Sequence, residues 1–199
     1  MEIAIDILGT LAFAISGASK AIQYKLDWLG LLVMAIVTGA GGGVLRDIML
    51  GSNPPVALSN PIYVTVCIGG AFLTLGAQRI INASSKIVLI ADALGLGFFT
   101  AIGASKAEFA NAGPLAIILL ATLTAAGGGL LRDMLVSEIP QVLKSDFYAT
   151  AAIAGGILFV LLDKFGVSSL DVKMATVTLF TFALRIIAMR KNFQLPKAE

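Results

Sequence analysis

The sequence has 199 residues, of which 58% are hydrophobic and 13% are charged. A soluble domain has about 45–50% apolar and about 25% charged residues, so this composition excludes a soluble domain and indicates a protein embedded in lipid. The net charge is only +2, and its basic residues form no face large enough for a nucleic-acid partner.

Apolar runs separated by short polar turns predict seven helices, since about 20 mostly apolar residues suffice to cross a bilayer. In chain order the predicted helices cover residues 4–22, 29–50, 57–79, 87–106, 114–136, 147–163 and 170–190. The breaks between them contain Gly, Pro, Asn and Ser, which favour turns. The sequence therefore predicts an all-α membrane protein with seven transmembrane helices.

The first three predicted helices are repeated by the next three. The segment Asp6–Ala21 matches Asp92–Ala107 at an offset of 92 − 6 = 86 residues, and Gly41–Asp47 matches Gly127–Asp133 at the same offset. Continued without a gap, the offset also matches Gly69-Gly70 with Gly155-Gly156. This agreement indicates a duplication.

The number of helices in each copy determines how the copies are oriented. Three crossings are an odd number, so the second copy must enter the bilayer from the opposite side. The prediction is two inverted three-helix repeats, residues 1–85 and 86–168, followed by a seventh helix and a short tail in residues 169–199. Inverted repeats commonly place a site near the membrane midplane where the copies meet.

Lysines and arginines near the helix ends predict the orientation, because they favour the cytoplasmic side. One face carries most of them: Lys25, Arg79, Lys86, Lys144, Arg190, Lys191 and Lys197. The opposite face has mainly Lys164 and Lys173. We expect the N-terminus outside and the C-terminus in the cytoplasm.

The first helix of each copy carries a stripe of repeated residues with a charge at each end. The stripes consist of Asp6, Gly9, Phe13, Gly17 and Lys20, and of Asp92, Gly95, Phe99, Gly103 and Lys106. The glycines permit close helix packing, and the charges should face protein or water because lipid contact is costly. Two interpretations of Lys20 and Lys106 stay open: they snorkel to the membrane surface, or they line or gate a polar path.

Each copy has three consecutive glycines in its second helix: Gly41, Gly42 and Gly43, and Gly127, Gly128 and Gly129. Three glycines lower helix propensity by about 3 kcal/mol relative to alanine. We expect the helices to kink or open there, and the freed carbonyls to coordinate a cation. The alternative is that the glycines allow two helices to pack closely.

An Arg-Asp pair follows each glycine triplet. Neighbouring residues on a helix point about 100° apart, so neither pair is well placed to interact within itself. We expect Arg46 to pair with Asp133 and Arg132 with Asp47, as a clasp between the repeats or as part of a permeation path.

Four hydroxyl side chains lie near these features: Ser19, Ser105, Thr38 and Thr124. They could face an ion, but hydrogen bonding to their own helices is the favoured interpretation. The sequence has no histidine, and no nucleophile-base pair, phosphate loop or metal-ligand cluster is evident. We therefore expect no enzyme activity, no catalytic residues, no metal site and no cofactor.

The duplicated Gly-Gly-Gly-x-Leu-Arg-Asp segments resemble those of the bacterial and archaeal relatives of the trimeric intracellular cation channels. The resemblance extends over nearly the whole chain. It also includes the segments Asp6–Thr10, Glu138–Pro140, Tyr148–Thr150 and Leu184-Arg185. The resemblance implies a homotrimer in the inner (plasma) membrane of a bacterium or archaeon. It also implies helices 2 and 5 bent at the glycine triplets around a pore in each protomer.

Monovalent cations, K⁺ or Na⁺, would be the permeant ions, and membrane lipids would be partners and bound ligands. Family-level descriptions of bacterial relatives also suggest glycine transport. A secondary transporter of glycine or another small amino acid is therefore the second hypothesis. In that case Arg46 or Arg132 would help helix N-termini to bind a carboxylate.

Overall fold

The computed structural model describes residues 1–77, 85–144 and 147–191, with the backbone alone for residues 85–87 and 144. These described residues form nine α-helices. They are α1 (Glu2–Gln23), α2 (Trp28–Met49), α3 (Val56–Ser59), α4 (Pro61–Gly76), α5 (Ser85–Phe109), α6 (Pro114–Leu135), α7 (Gln141–Lys144), α8 (Ala149–Lys164) and α9 (Leu170–Lys191). By length and composition, α1, α2, α5, α6 and α9 can cross a membrane. The chain is therefore an all-helical, multi-pass membrane protein.

Most predicted helices are found within a few residues of their predicted ends, but the third is divided in two and an additional short helix precedes the sixth. The third is divided into α3 and α4 because Asn60 caps a new helix: its Oδ1 accepts the Ile62 N–H at 3.1 Å, and Pro61 occupies the first helical position. The short helix α7, which the sequence analysis does not predict, precedes α8. The predicted end of the third helix, residues 78–79, lies outside the described residues.

Helices α1, α2, α6 and α5 form the centre of the bundle, and each packs against the next in a closed ring. Helix α4 covers α1 and α2, whereas α8 and α9 cover the second half of the ring. Ion pairs at the helix ends give the directions of α1 and α5. Glu2, at the start of α1, contacts Lys106, near the end of α5, at 3.2 Å. The two matched helices therefore run antiparallel.

The helices do not open at the glycine triplets, so the expectation of freed backbone carbonyls there is wrong. Both α2 and α6 are α-helical through all three glycines. A Cβ atom at Gly42 would overlap the carbonyl oxygen of Thr124, and one at Gly128 would overlap that of Thr38. The glycines therefore let the backbones of α2 and α6 approach closely, as in the packing alternative, and these contacts stabilise helices of low propensity.

The repeat is gapless only through its first two helices. A Cβ at Gly70 would lie 3.0 Å from Ala14 Cβ, whereas a Cβ at Gly155 would lie 2.8 Å from Thr100 Cγ2. Ala14 and Thr100 differ by 86 positions, but Gly70 and Gly155 differ by 85. The gapless match of Gly69-Gly70 with Gly155-Gly156 is therefore wrong by one residue, since the second copy is one residue shorter before its third helix.

Candidate functional site

The first polar cluster consists of Asp6, Arg46, Asp47 and Tyr63, all buried. Arg46 donates from Nε and Nη2 to Asp47 Oδ1 at 2.9 and 2.8 Å. Its Nη1 lies 4.0 Å from Asp6 Oδ1, and the Tyr63 hydroxyl donates to Asp6 Oδ2 at 2.7 Å. The start of α1, the end of α2 and the start of α4 thus meet at one ion-pair network.

The second polar cluster consists of Asp92, Arg132, Asp133 and Tyr148, which are also buried. Arg132 donates from Nε to Asp133 Oδ1 at 2.9 Å and from Nη1 to Asp92 Oδ1 at 2.5 Å. Ser16 of α1 joins the cluster, because its hydroxyl accepts from Arg132 Nη1 at 2.5 Å and donates to Asp92 Oδ1 at 3.2 Å. The two clusters contain the same four residue types, but the Tyr63 hydroxyl donates to Asp6, whereas the Tyr148 hydroxyl has no hydrogen-bond partner among the described residues.

The expected pairing across the repeats, Arg46 with Asp133 and Arg132 with Asp47, is wrong. Each arginine pairs with the aspartate that directly follows it, and with the aspartate near the start of its own repeat. The rotation of about 100° between neighbours does not prevent this, because an arginine side chain is long and presents five donors. The arginines therefore bind within their own repeats.

Backbone contacts hold Asp47 and Asp133 in position for these pairs. Asp47 Oδ2 accepts the N–H of Val56, the first residue of α3, and Asp133 Oδ2 accepts the N–H of Gln141, the first residue of α7. Both bonds are 2.9 Å long. The short helices thus donate their otherwise unpaired first N–H groups to the clusters.

The two matched lysines form ion pairs at opposite ends of the bundle. Lys20 Nζ lies 2.8 Å from Glu138 Oε2, and Lys106 Nζ lies 3.2 Å from Glu2 Oε1. The Tyr24 hydroxyl also donates to Glu138, and this hydrogen bond raises the pKa of Tyr24 above its ordinary value. Both lysines thus bind a glutamate that belongs to the other repeat.

Three of the four candidate hydroxyls bond to their own helices, as the favoured interpretation expects. Ser19, Thr38 and Thr124 each donate to the carbonyl four residues earlier, at 2.6–2.7 Å. The exception is Ser105, whose hydroxyl lies 3.5 Å from Glu2 Oε1. It therefore belongs to the same end of the bundle as the Lys106 ion pair.

A cavity of about 230 Å³ opens beside the first cluster, and Glu2, Asp6, Arg46, Tyr63 and Lys106 line it. We call this cavity the vestibule. A deeper pocket shares Asp6 and Arg46 with the vestibule and reaches Phe99, but its volume is only about 10 Å³. That volume is about the size of one water molecule, so the space beyond the vestibule is narrow, and Phe99 is one of the side chains that line it.

The sequence analysis misses several residues that the structure places here. Tyr63 is missed because its counterpart, Tyr148, lies 85 rather than 86 positions away. Ser16 is missed because its counterpart at offset 86 is Ile102, so self-comparison gives no signal. Glu2 also has no acidic counterpart in the other repeat. The two tyrosines match only at an offset of 85 residues, so a comparison at 86 does not reveal them.

Helix α9, outside the duplication, is fastened to the second repeat by buried cations. Arg185 Cζ lies 4.9 Å from the centre of the Tyr148 ring. At the other end of α9, Lys173 Nζ lies 2.5 Å from Glu108 Oε1 and 3.0 Å from Asp163 Oδ1. These contacts hold α9 beside α5 and α8.

Comparison with known proteins gives extensive matches. The sequence model of a family described as "Glycine transporter" matches residues 3–79 and 89–164. The inner membrane protein YadS of Escherichia coli is 36% identical over 195 residues, which cover 96% of this chain and 93% of YadS. A UPF0126 membrane protein of Vibrio cholerae is 38% identical over 193 residues, covering 96% of this chain and 80% of that protein.

Solved structures match equally well. The trimeric intracellular cation channel orthologue of Rhodobacter sphaeroides has 34% identity and a TM-score of 0.91, covering 96% of this chain and 98% of that one. A channel solved to explain conductance through these cation channels has 36% identity and a TM-score of 0.90, covering 98% and 96%. The chain belongs to the prokaryotic trimeric intracellular cation channel family.

Membership in the trimeric intracellular cation channel family confirms the resemblance drawn from the duplicated motifs. A channel of this family from Caenorhabditis elegans shares only 14% identity, with a TM-score of 0.65, and thus shows that the fold extends to animals. These solved relatives are ion channels and not enzymes, which confirms the prediction that the chain is not an enzyme.

Proposed function

We propose that the chain is a monovalent cation channel that conducts K⁺ through a pore within each protomer of a homotrimer. One observation carries the proposal: two clusters of the same four residue types lie buried toward opposite ends of the ring formed by α1, α2, α5 and α6. Buried charges in membrane helices typically face a water-filled path. The names of the solved relatives, which are trimeric cation channels, support both the activity and the trimer.

The proposed topology has seven crossings, arranged as two inverted three-helix repeats and α9. Helices α4 and α8 would be the third crossing of each repeat, although each has only 16 residues and spans about 24 Å at a rise of 1.5 Å per residue. The short helices α3 and α7 extend them toward the membrane surface. The antiparallel directions of α1 and α5 support the inversion.

The proposed location is the inner membrane, with the N-terminus outside and the C-terminus in the cytoplasm. The description of the Escherichia coli relative as an inner membrane protein supports the location. The lysine and arginine distribution supports the orientation, although Arg79 and Lys197 and the side chains of Lys86 and Lys144 lie outside the described residues.

The buried arginines are compatible with cation conduction because carboxylates surround them. The first cluster has two aspartates for its one arginine, and Lys106 at the vestibule is paired with Glu2. One carboxylate in excess favours a cation over an anion in the vestibule. We assign Phe13 and Phe99, whose rings are in contact between the two clusters, as the constriction, and the small pocket that Phe99 lines supports this assignment.

A carrier of glycine or another small amino acid is the second candidate. It is favoured by one contact in the vestibule: Arg46 Nη1, which has no hydrogen-bond partner among the described residues, lies 4.0 Å from Asp6 Oδ1. A zwitterion could place its carboxylate on this guanidinium and its ammonium on the aspartate. The description of the matching family agrees with this candidate.

Planar bilayers with a K⁺ gradient separate the two candidates. For a channel we expect discrete unitary currents that reverse near the K⁺ equilibrium potential, and a particle mass of three copies in nanodiscs. Phe72→Ala, which changes an exposed side chain on α4, serves as the matched control for constriction variants. Silent bilayers together with saturable, gradient-coupled glycine uptake into vesicles would overturn the channel and establish the carrier.

A further inference from the structure

The matched arginine clusters differ in how tightly they are closed. Arg132 Nη1 lies 2.5 Å from Asp92 Oδ1, whereas Arg46 Nη1 lies 4.0 Å from Asp6 Oδ1. Each guanidinium has one nitrogen without a hydrogen-bond partner among the described residues, Nη1 in Arg46 and Nη2 in Arg132. Nη1 faces the aspartate near the start of the repeat in both, so the two arginines differ in whether that nitrogen is bonded. The same ion pair is therefore closed in the second repeat and loose in the first, where it borders the vestibule.

Ser16 belongs to the second cluster and has no counterpart in the first. Its hydroxyl accepts from Arg132 Nη1 and donates to Asp92 Oδ1, so it bridges the two charges. The equivalent position, 102 − 16 = 86 residues later, is Ile102, which is buried in an apolar group with Ile5, the neighbour of Asp6. Isoleucine can neither donate nor accept a hydrogen bond, so the first cluster has no such bridge.

A hydroxyl suits this position because it can accept from the guanidinium while it donates to the carboxylate. Hydrogen bonds to charged partners are stronger than those between neutral groups. Ser16 reaches the second cluster from α1, which belongs to the first repeat, so its bridge also joins the two repeats.

We propose that Ser16 is a positioning residue that holds the second half of the pore shut, while Ile102 leaves the first half open to the vestibule. The inference rests on the proposed channel function, since Ser16 acts through Arg132 and Asp92 on a path between the clusters. Positions 16 and 102 thus contribute to the asymmetry between the two halves, beside the tyrosines, of which only Tyr63 donates to its aspartate among the described residues.

Single-channel recordings in K⁺ test the consequence for gating. Ser16→Ala should raise the open probability by about tenfold or more, because it removes two hydrogen bonds to charged groups. Ile102→Ser should lower it, because a bridge could then form in the first cluster. Thr74→Val is the matched control, since that buried hydroxyl bonds only to its own helix, at Gly70. A Ser16→Ala open probability equal to that of the control would overturn the inference.

Thiol labelling tests the same idea without relying on currents. In a Cys67→Ala background, cysteines replace Tyr63 in one variant and Tyr148 in another, and their modification by a charged methanethiosulfonate reagent is timed. Adding Ser16→Ala should speed the modification at position 148, and adding Ile102→Ser should slow it at position 63. Unchanged rates in both would overturn the inference even if the channel conducts. Shifted rates in a protein that carries no current would sustain the inference and overturn the channel function.

Discussion

Phe13 and Phe99 each fill the space that a glycine leaves in the other's helix. Their ring centres are 5.2 Å apart at an interplanar angle of 65°, which is the favoured edge-to-face arrangement. A Cβ at Gly95 would overlap the Phe13 ring, and one at Gly9 would lie 3.0 Å from the Phe99 ring. Because Phe13 matches Phe99 and Gly9 matches Gly95 in the repeat, the contact is reciprocal and fixes the crossing of α1 and α5.

Replacing Gly95 with alanine should destabilise this crossing. The added methyl group would force the Phe13 ring to move in a packed core, and overpacking of this kind typically costs about 1–3 kcal/mol. The thermal unfolding midpoint of Gly95→Ala in detergent should therefore fall. Gly69→Ala is the control, because a Cβ at this α4 glycine meets nothing within 4 Å. Equal midpoints for the two variants would contradict the reciprocal packing.

Within one triplet, Gly42 and Gly43 should respond differently to alanine. A Cβ at Gly42 would overlap the backbone carbonyl of Thr124, whereas one at Gly43 would lie 3.6 Å from Arg46 Nη2, an ordinary contact. Gly42→Ala should separate α2 from α6 and greatly reduce the yield of folded protein in size-exclusion chromatography. Gly43→Ala should remain near wild type or gain stability from its higher helix propensity. The reverse order would refute the packing role of the triplet.

The sequence predicts the long helices and the duplication because both depend on local pattern. Hydrophobic runs identify α1, α2, α5, α6 and α9, and identical motifs at a fixed offset reveal the repeat. Helix breaking at the triplets is not a local property. Low helix propensity favours a break at the triplets. The close contacts of the Gly42 and Gly128 backbones with the facing helix prevent it, and no propensity scale includes such contacts.

The candidate site is predicted by residue type but not by pairing. Arg46, Asp47, Arg132 and Asp133 all lie in the clusters, yet each arginine binds its own neighbour. The aspartate positions depend on α3 and α7, whose first N–H groups hold the carboxylates, and the sequence does not reveal these short helices. Contacts set by distant backbone segments therefore escape analysis of the motif alone.

Phe99→Ala should open the constriction below the vestibule. Phe99 lines the narrow pocket of about 10 Å³ that follows Asp6 and Arg46, and removing its ring would enlarge this pocket toward the second cluster. We expect a higher open probability or a constant leak of K⁺, measured as efflux from loaded vesicles. Phe72→Ala should leave efflux unchanged. Unaltered efflux from Phe99→Ala vesicles would place the constriction elsewhere.

Lys106→Ala should raise K⁺ conductance at low salt. Lys106 and Glu2 form an ion pair that lines the vestibule near Asp6, so removing the lysine leaves the carboxylates in excess and raises the local cation concentration. The increase should fade in 1 M KCl, because the Debye length falls from about 30 Å at 0.01 M to about 3 Å at 1 M.

Lys164→Ala provides the matched control for this prediction. Lys164 ends α8 and is exposed, and its neighbour Asp163 contacts Lys173, which in turn binds Glu108 near the end of α5. Both lysines therefore lie at the same end of the bundle, but only Lys106 lines the vestibule. If Lys106 acts through the electrostatic potential within the vestibule, K⁺ conductance should rise in Lys106→Ala but not in Lys164→Ala. Conductance equal to wild type in both variants at every salt concentration would show that Lys106 snorkels to the membrane surface, whereas equal increases in both would indicate a general surface charge effect.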